Sequence, residues 1–242
     1  MKWNYIIPLS FVLLLISFWN RNDLSEDMKV VDELKGEPTQ NKIEKSAFSV
    51  NVNKVDYEIQ PLYDYELYGL VVSYEIHDGN YNLHKRWNDH LNVADYCVVW
   101  DKSAFTEYLP EIKFWNGQFT CNFGTKDQQA WERFEPAQLS NNHLISDDKY
   151  IRKKLRKIKV GDQIRIAGWL TSYKNLNTGG TRGTSTTRDD VGNGACETIY
   201  VNEVSVLRHY SSVWRKLMYL FLLILIVSLI MYFKAPHRVR SN

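Results

Sequence analysis

The chain has 242 residues, enough for one ordinary domain with additional segments. Its 30 basic and 28 acidic residues leave a net charge of +2, which excludes the strong basic field of a nucleic-acid-binding protein, so no nucleic acid is expected as a partner. The 15 Tyr, 8 Trp and 10 Phe favour pleated, half-buried surfaces, so the expected fold is mainly β.

Residues 5–19 (YIIPLSFVLLLISFW) form a first apolar run, interrupted by Pro8. A cleaved signal peptide needs small residues after its apolar stretch, whereas Phe18 and Trp19 stand there, so residues 1–20 read as an uncleaved transmembrane signal anchor. Residues 21–56 are rich in charge and poor in aromatics, and read as a polar tether with too little apolar surface to offset the entropy of ordering. A short helix over 25–34 is the local alternative, with Met28, Val31 and Leu34 at helical spacing.

The folded domain is expected over 57–208. Residues 65–74 form an aromatic and β-branched run that reads as a long strand, ended by the turn residues Asp78, Gly79 and Asn80. A polar surface loop with His77, His84 and His90 follows, then a buried strand over 94–100. Residues 111–114 and 118–123 flank Asn116-Gly117, a strong hairpin signal. Residues 146–159 read as one amphipathic helix, with Ser146 as N-cap and Ile151, Leu155 and Ile158 as its apolar stripe. The basic residues 152–159 then form its solvated face. Strands over 163–170 and 198–207 close the domain.

Residues 217–233 carry no charge and are bracketed by Arg215, Lys216 and Lys234, so 213–233 read as a C-terminal transmembrane helix and 234–242 as a basic cytoplasmic tail. With Lys2 before the first span and Arg238 and Arg240 after the second, both ends belong in the cytoplasm. The expectation is a multi-pass protein of the inner membrane, its domain extracytoplasmic and the lipid bilayer its partner.

The segment Ser140-Asn141-Asn142-His143-Leu144-Ile145, the strand GDQIRIAGWL over 161–170 and the block RGTSTTRDDVGNGACETIYV over 182–201 resemble a bacterial family of uncharacterised, often membrane-anchored proteins. The likeness spans about residues 65–206 and implies domain limits, not a reaction. The GDQIRIAGWL strand also resembles one of OB-type barrels, which implies a small OB-like barrel flanked by the two transmembrane helices.

The chemistry concentrates in residues 177–197, where Gly179, Gly180 and Gly183 surround two arginines and several hydroxyls. Such a loop suits an anion held by backbone amides and charged donors, so Arg182, Thr184, Ser185, Arg188, Asp189 and His143 are candidate ligand-binding residues. The plainer alternative is a long β connection in which Arg188 pairs with Asp189 or Glu197. No P-loop lysine is present. His143 as base with Ser185 as nucleophile lacks a G-x-S-x-G elbow, so no catalytic residue is assigned. His77, His84 and His90, with Asp78, Asp89 and Asp95, invite a metal hypothesis but match no zinc spacing, and neither a metal nor a cofactor is expected. Of the 3 cysteines, Cys121 and Cys196 are the expected disulfide, because one ends a hairpin strand and the other enters a late strand. Together these features point to an extracytoplasmic binding or interaction domain, with an anionic ligand or another envelope protein as partner. The alternative is a membrane-bound hydrolase or transferase using residues 179–197.

Overall fold

The computed structural model describes residues 3–187 and 196–235. The chain divides into two units, Glu26–Tyr210 and a second one that brings together the segments up to Ser25 and from Ser211 onward.

The larger unit is mainly β with a few short helices. In chain order it contains β1 (Thr39–Lys42), β2 (Phe48–Val52), β3 (Val55–Ile76), α2 (Asn82–Trp87), β4 (Asn92–Val99), α3 (Asp101–Phe105), β5 (Lys113–Gly117), β6 (Thr120–Gly124), α4 (Gln128–Arg133), β7 (Leu139–Ile145), α5 (Lys149–Leu155), β8 (Gln163–Asn175), β9 (Thr181–Arg182) and β10 (Cys196–Arg208). Five of these strands close into a ring: β3 pairs with β4, β4 with β7, β7 with β10, β10 with β8, and β8 again with β3. Every pairing in the ring is antiparallel except β7 with β10. Closure is possible because β3 is 22 residues long and bends at bulges between Pro61 and Tyr63 and between Val71 and Ser73.

Leu67, Val98, Leu144, Ile166, Leu170 and Ile199 fill the ring with apolar side chains, and α5 adds Ile151 and Leu155 to the same core. The Tyr96 hydroxyl donates to the Leu155 carbonyl and fixes the helix there. Gly168 lets β8 and β10 approach, since a Cβ on it would stand 2.0 Å from the Tyr200 carbonyl oxygen.

Several expectations are corrected. Residues 21–56 are not a tether over their whole length, because β1 and β2 both pair with β3 and Leu34 is fully buried. The buried Gln163 side chain clamps this segment, accepting from Val31 N at 2.7 Å and donating to Lys29 O at 2.7 Å, and Trp100 Nε1 donates to Glu37. The partner edge of β3 supplies what local composition lacks. The hairpin exists, but Gly117 pairs with Thr120, so Gln118 and Phe119 make the turn and Asn116-Gly117 lie within β5. The expected helix over 146–159 shortens to α5, because Asp148 captures Tyr150 N and Ile151 N and becomes the cap, while Ser146 donates to Val201 O.

In the smaller unit α1 (Trp3–Trp19) packs with α6 (Val213–Lys234), and the buried residues of the pair are the small Ser10, Ser17 and Ser228. Ser212 caps α6 by accepting from Arg215 N, and its hydroxyl donates to Arg21 O. Among the described residues α6 alone is long and apolar enough to cross a membrane. Its 22 residues extend about 33 Å against a hydrocarbon core of about 30 Å. The 17 residues of α1 extend about 26 Å.

Candidate functional site

Three connections far apart in sequence meet on one side of the ring: residues 77–91 between β3 and β4, the tip of the β5–β6 hairpin, and residues 176–187 after β8. The basic residues of α5 hold the first of them instead of forming only a solvated face. Arg152 donates to the carbonyls of His90, Leu91 and Ser146, and Arg156 donates to that of His77. Burial lowers the Arg152 pKa, with the Arg156 charge adding to it. Asn175, at the end of β8, donates to the carbonyls of Trp87 and Asn88 and accepts from Asn177 N and Thr178 N, so one amide joins two connections. Tyr57 donates to Asn88 O and accepts from His90 N, and burial pushes its hydroxyl up to about 12.

The hairpin places Phe119 over this junction. Its φ of 61° is a left-handed conformation that bulky side chains seldom adopt, and it turns the ring inward. The ring stacks on Trp87 at 5.5 Å, meets His143 edge-on at 5.9 Å and carries the Arg182 guanidinium 4.4 Å from its centroid. A disulfide between Cys97 and Cys121, with Cα atoms 5.6 Å apart, ties the hairpin to β4. The expected Cys121–Cys196 pairing is therefore corrected. Register places Cys97 and Cys196 on either side of Asn141, and the hairpin folds back over β4, so Cys121 reaches the nearer partner. Cys196 stays a thiol, donating to Phe119 O and accepting from Asn141 Nδ2, and burial raises its pKa.

Behind the junction lies a buried ionisable network. Asp95 Oδ1 is 2.7 Å from His143 Nδ1, close but off the ideal hydrogen-bond line, and its Oδ2 is 3.3 Å from His77 Nε2. Burial opposes ionisation of Asp95, yet the two histidines outweigh it and hold the carboxyl well below the usual carboxylate range. Asp89 accepts from His84 Nδ1 at 3.2 Å and from the Tyr173 hydroxyl at 2.8 Å, and these donors likewise override burial and lower its pKa. The His77 and His84 rings lie 4.0 Å apart and link the two halves. Both histidines are buried, which corrects the expected polar surface loop: the neighbouring aspartates supply the polar partners that a surface would. Arg182 Nη2 donates to His143 Nε2 at 2.5 Å. His143 is accordingly the neutral tautomer protonated on Nδ1, and burial foremost, with Arg182 adding to it, depresses its pKa against the opposing pull of Asp95.

These groups line a cavity of about 790 Å³ whose wall includes Trp87, Phe119, His143, Tyr173, Arg182 and Cys196. Of the residues expected at a ligand site, Arg182, Thr184, Ser185 and His143 all line it. Arg188 and Asp189 lie outside the described residues. Thr184 accepts from Thr198 N, and the Ser185 hydroxyl donates to Thr187 O and accepts from Thr187 N, so both hydroxyls shape the loop. Sequence reasoning missed Tyr173, Trp87 and Phe119, and grouped Asp89 and Asp95 with His77 and His84 only as a metal set whose spacing did not fit. One signal was available: Asp95 is the single charge in the apolar strand ADYCVVW, where a carboxylate must find a buried partner. Among the described residues no three His, Cys, Asp or Glu side chains converge to hold a metal ion. Comparison of the chain with protein-family models, curated proteins and solved structures finds no match in any of the three.

Proposed function

We propose that this chain is a membrane-anchored binding domain facing away from the cytoplasm, with an OB-like barrel as its body and the cavity beside Arg182 as its ligand site. The cavity carries the reading. It is large enough for a small molecule, it is built from three connections that a tight polar scaffold holds together, and it joins aromatic walls to a few directed polar groups. The ring order β3-β4-β7-β10-β8, with its parallel β7–β10 pair and a helix between β7 and β8, supports the OB-like comparison. In such barrels ligands lie against the loops that correspond here to 77–91 and 176–187.

The length of α6 supports anchoring, and the shorter apolar α1 packed with it is taken as a second span. The Cys97–Cys121 bridge supports an oxidising compartment for the domain. The hydrolase or transferase alternative is less well supported. Ser185 is engaged within its own loop, Arg182 occupies the Nε2 lone pair of His143, and burial keeps the Cys196 thiol protonated.

Two measurements test the reading. Alkaline extraction should leave the full chain in the membrane, and alkaline phosphatase fused after Asn242 should be inactive; release, or an active fusion, overturns anchoring or orientation respectively. A thermal-shift and tryptophan-fluorescence screen of small molecules against the full chain in detergent should yield ligands that stabilise it, but not a Trp87→Ala variant. Trp87 is 42% exposed, so the variant should fold. Ligands that stabilise both proteins equally, or a screen with none, defeat the binding-domain reading.

A further inference from the structure

Arg182, on β9, differs from Arg165, on β8. Arg165 is held by Glu66 at 2.5 Å and Glu203 at 2.8 Å, which raise its pKa further. Arg182 has no carboxylate partner among the described residues. One of its N–H groups goes to His143 Nε2 and one face lies on Phe119, while Nε and Nη1 make no hydrogen bond to a described residue. A guanidinium has five donors, so most of the Arg182 fork, in the cavity wall, has no partner among the described residues. We propose that the cavity binds a small monoanion with a flat apolar body through Arg182, and that His143 takes up a proton as the anion binds.

This rests on the cavity being the ligand site, and the charge inventory around His143 carries it. The titratable groups facing that imidazole are Asp95 on β4, His77 at the end of β3, Arg182 on β9, Cys196 on β10, and Tyr173 on β8 with its partner Asp89. In the free site the charges nearest the ring, Arg182 and Asp95, sum to zero around a neutral imidazole. A monoanion on the guanidinium adds one negative charge. It also competes for the Nη2 hydrogen that now caps Nε2. The freed lone pair then accepts one proton from solvent, no bond to the ligand is made or broken, and the new N–H points at the anion. The bound site is again balanced, with Asp95 already placed to stabilise the imidazolium at Nδ1. Burial and the Arg182 charge keep His143 neutral without ligand, and the anion removes part of that penalty. The aromatic wall of Trp87 stacked on Phe119 offers the apolar body its surface.

Benzenesulfonate is the probe, because it stays a monoanion at every working pH, and methyl phenyl sulfone is its neutral isostere. Calorimetry on the full chain in detergent, in two buffers of different ionisation enthalpy, should show uptake of about one proton per benzenesulfonate near neutral pH. Affinity should tighten about tenfold for each pH unit lowered across the window between the free and bound pKa of His143. The sulfone should bind more weakly and without proton uptake. In protein with labelled histidine, the His143 ring nitrogens should shift from a neutral to a doubly protonated signature on adding the sulfonate, a readout that needs no variant at this buried position. Arg182→Gln should erase the preference for sulfonate over sulfone. Sulfonate binding with no proton uptake, or the sulfone binding equally well, overturns this inference and leaves the binding domain standing. If neither compound nor any screened ligand perturbs Trp87 fluorescence, the binding-domain reading falls with it.

Discussion

The carboxylate of Asp95 lies 2.7 Å from Nδ1 of His143, and both side chains are buried in the wall of the strand ring. Folding lowers the pKa of each: burial foremost for His143, and the histidine contacts outweighing burial for Asp95. Over the affected range the unfolded chain therefore binds more protons than the folded one. The stabilisation is complete above the unfolded values, about 6.5 for histidine and about 3.9 for aspartate, and is lost as pH falls from each towards its folded value. Tm measured by circular dichroism should hold between about pH 8 and pH 7 and then decline in two stages on acidification. A flat Tm between about pH 6.5 and pH 5 would show that His143 does not stay neutral in the fold.

Cys97 and Cys121 enclose a stretch with a sequence separation of 24, so their bridge should contribute about 3 kcal/mol through the unfolded chain. Reduction should lower the denaturant midpoint accordingly and release Phe119 from Trp87, seen as a change in tryptophan emission. Peptide mapping should recover Cys97 linked to Cys121, with Cys196 as a free thiol. Recovery of a Cys121–Cys196 peptide would contradict the assignment.

Gly168 and Gly183 should respond oppositely to alanine. The added Cβ at Gly168 meets the Tyr200 carbonyl oxygen at 2.0 Å, a backbone atom that cannot step aside without separating β8 from β10. Gly168→Ala should cost about 3 kcal/mol or more. At Gly183 nothing lies within 4 Å, and alanine there should change stability by less than about 0.5 kcal/mol. Equal effects in urea denaturation would argue against the β8–β10 register.

Arg152 links α5 to the His90 and Leu91 carbonyls at the end of the 77–91 connection and to the Ser146 carbonyl just before the helix. Arg152→Ala should cost about 2 to 3 kcal/mol, since those carbonyls lose charged donors. Lysine cannot reproduce the forked contact and should rescue little. Hydrogen exchange should rise locally over residues 88–92, and unchanged exchange there would mean that the connection does not depend on this clamp.

What the residues alone determined is what local chemistry dictates. The uninterrupted apolar run of α6, the aromatic and β-branched runs of β3, β4 and β10 and the alternation in β8 are properties of each segment by itself, so the main β elements and the membrane-length helix could be read directly. The likeness of Arg182, Thr184, Ser185 and His143 to parts of one site was legible as composition, because glycine, hydroxyls and arginine cluster in the loop around 179–187. Tertiary structure decided the rest. It turned part of the apparent tether into β1 and β2, because a polar strand becomes regular once β3 offers an edge to satisfy its backbone. It paired Cys121 with Cys97, because the hairpin lays Cys121 against β4, while the backbone at its tip meets the Cys196 thiol. It also buried His77, His84, Asp89 and Asp95 together: a histidine or aspartate in a polar loop is indistinguishable from a buried one until the partner that compensates its desolvation is in place, and here those partners come from different strands and connections.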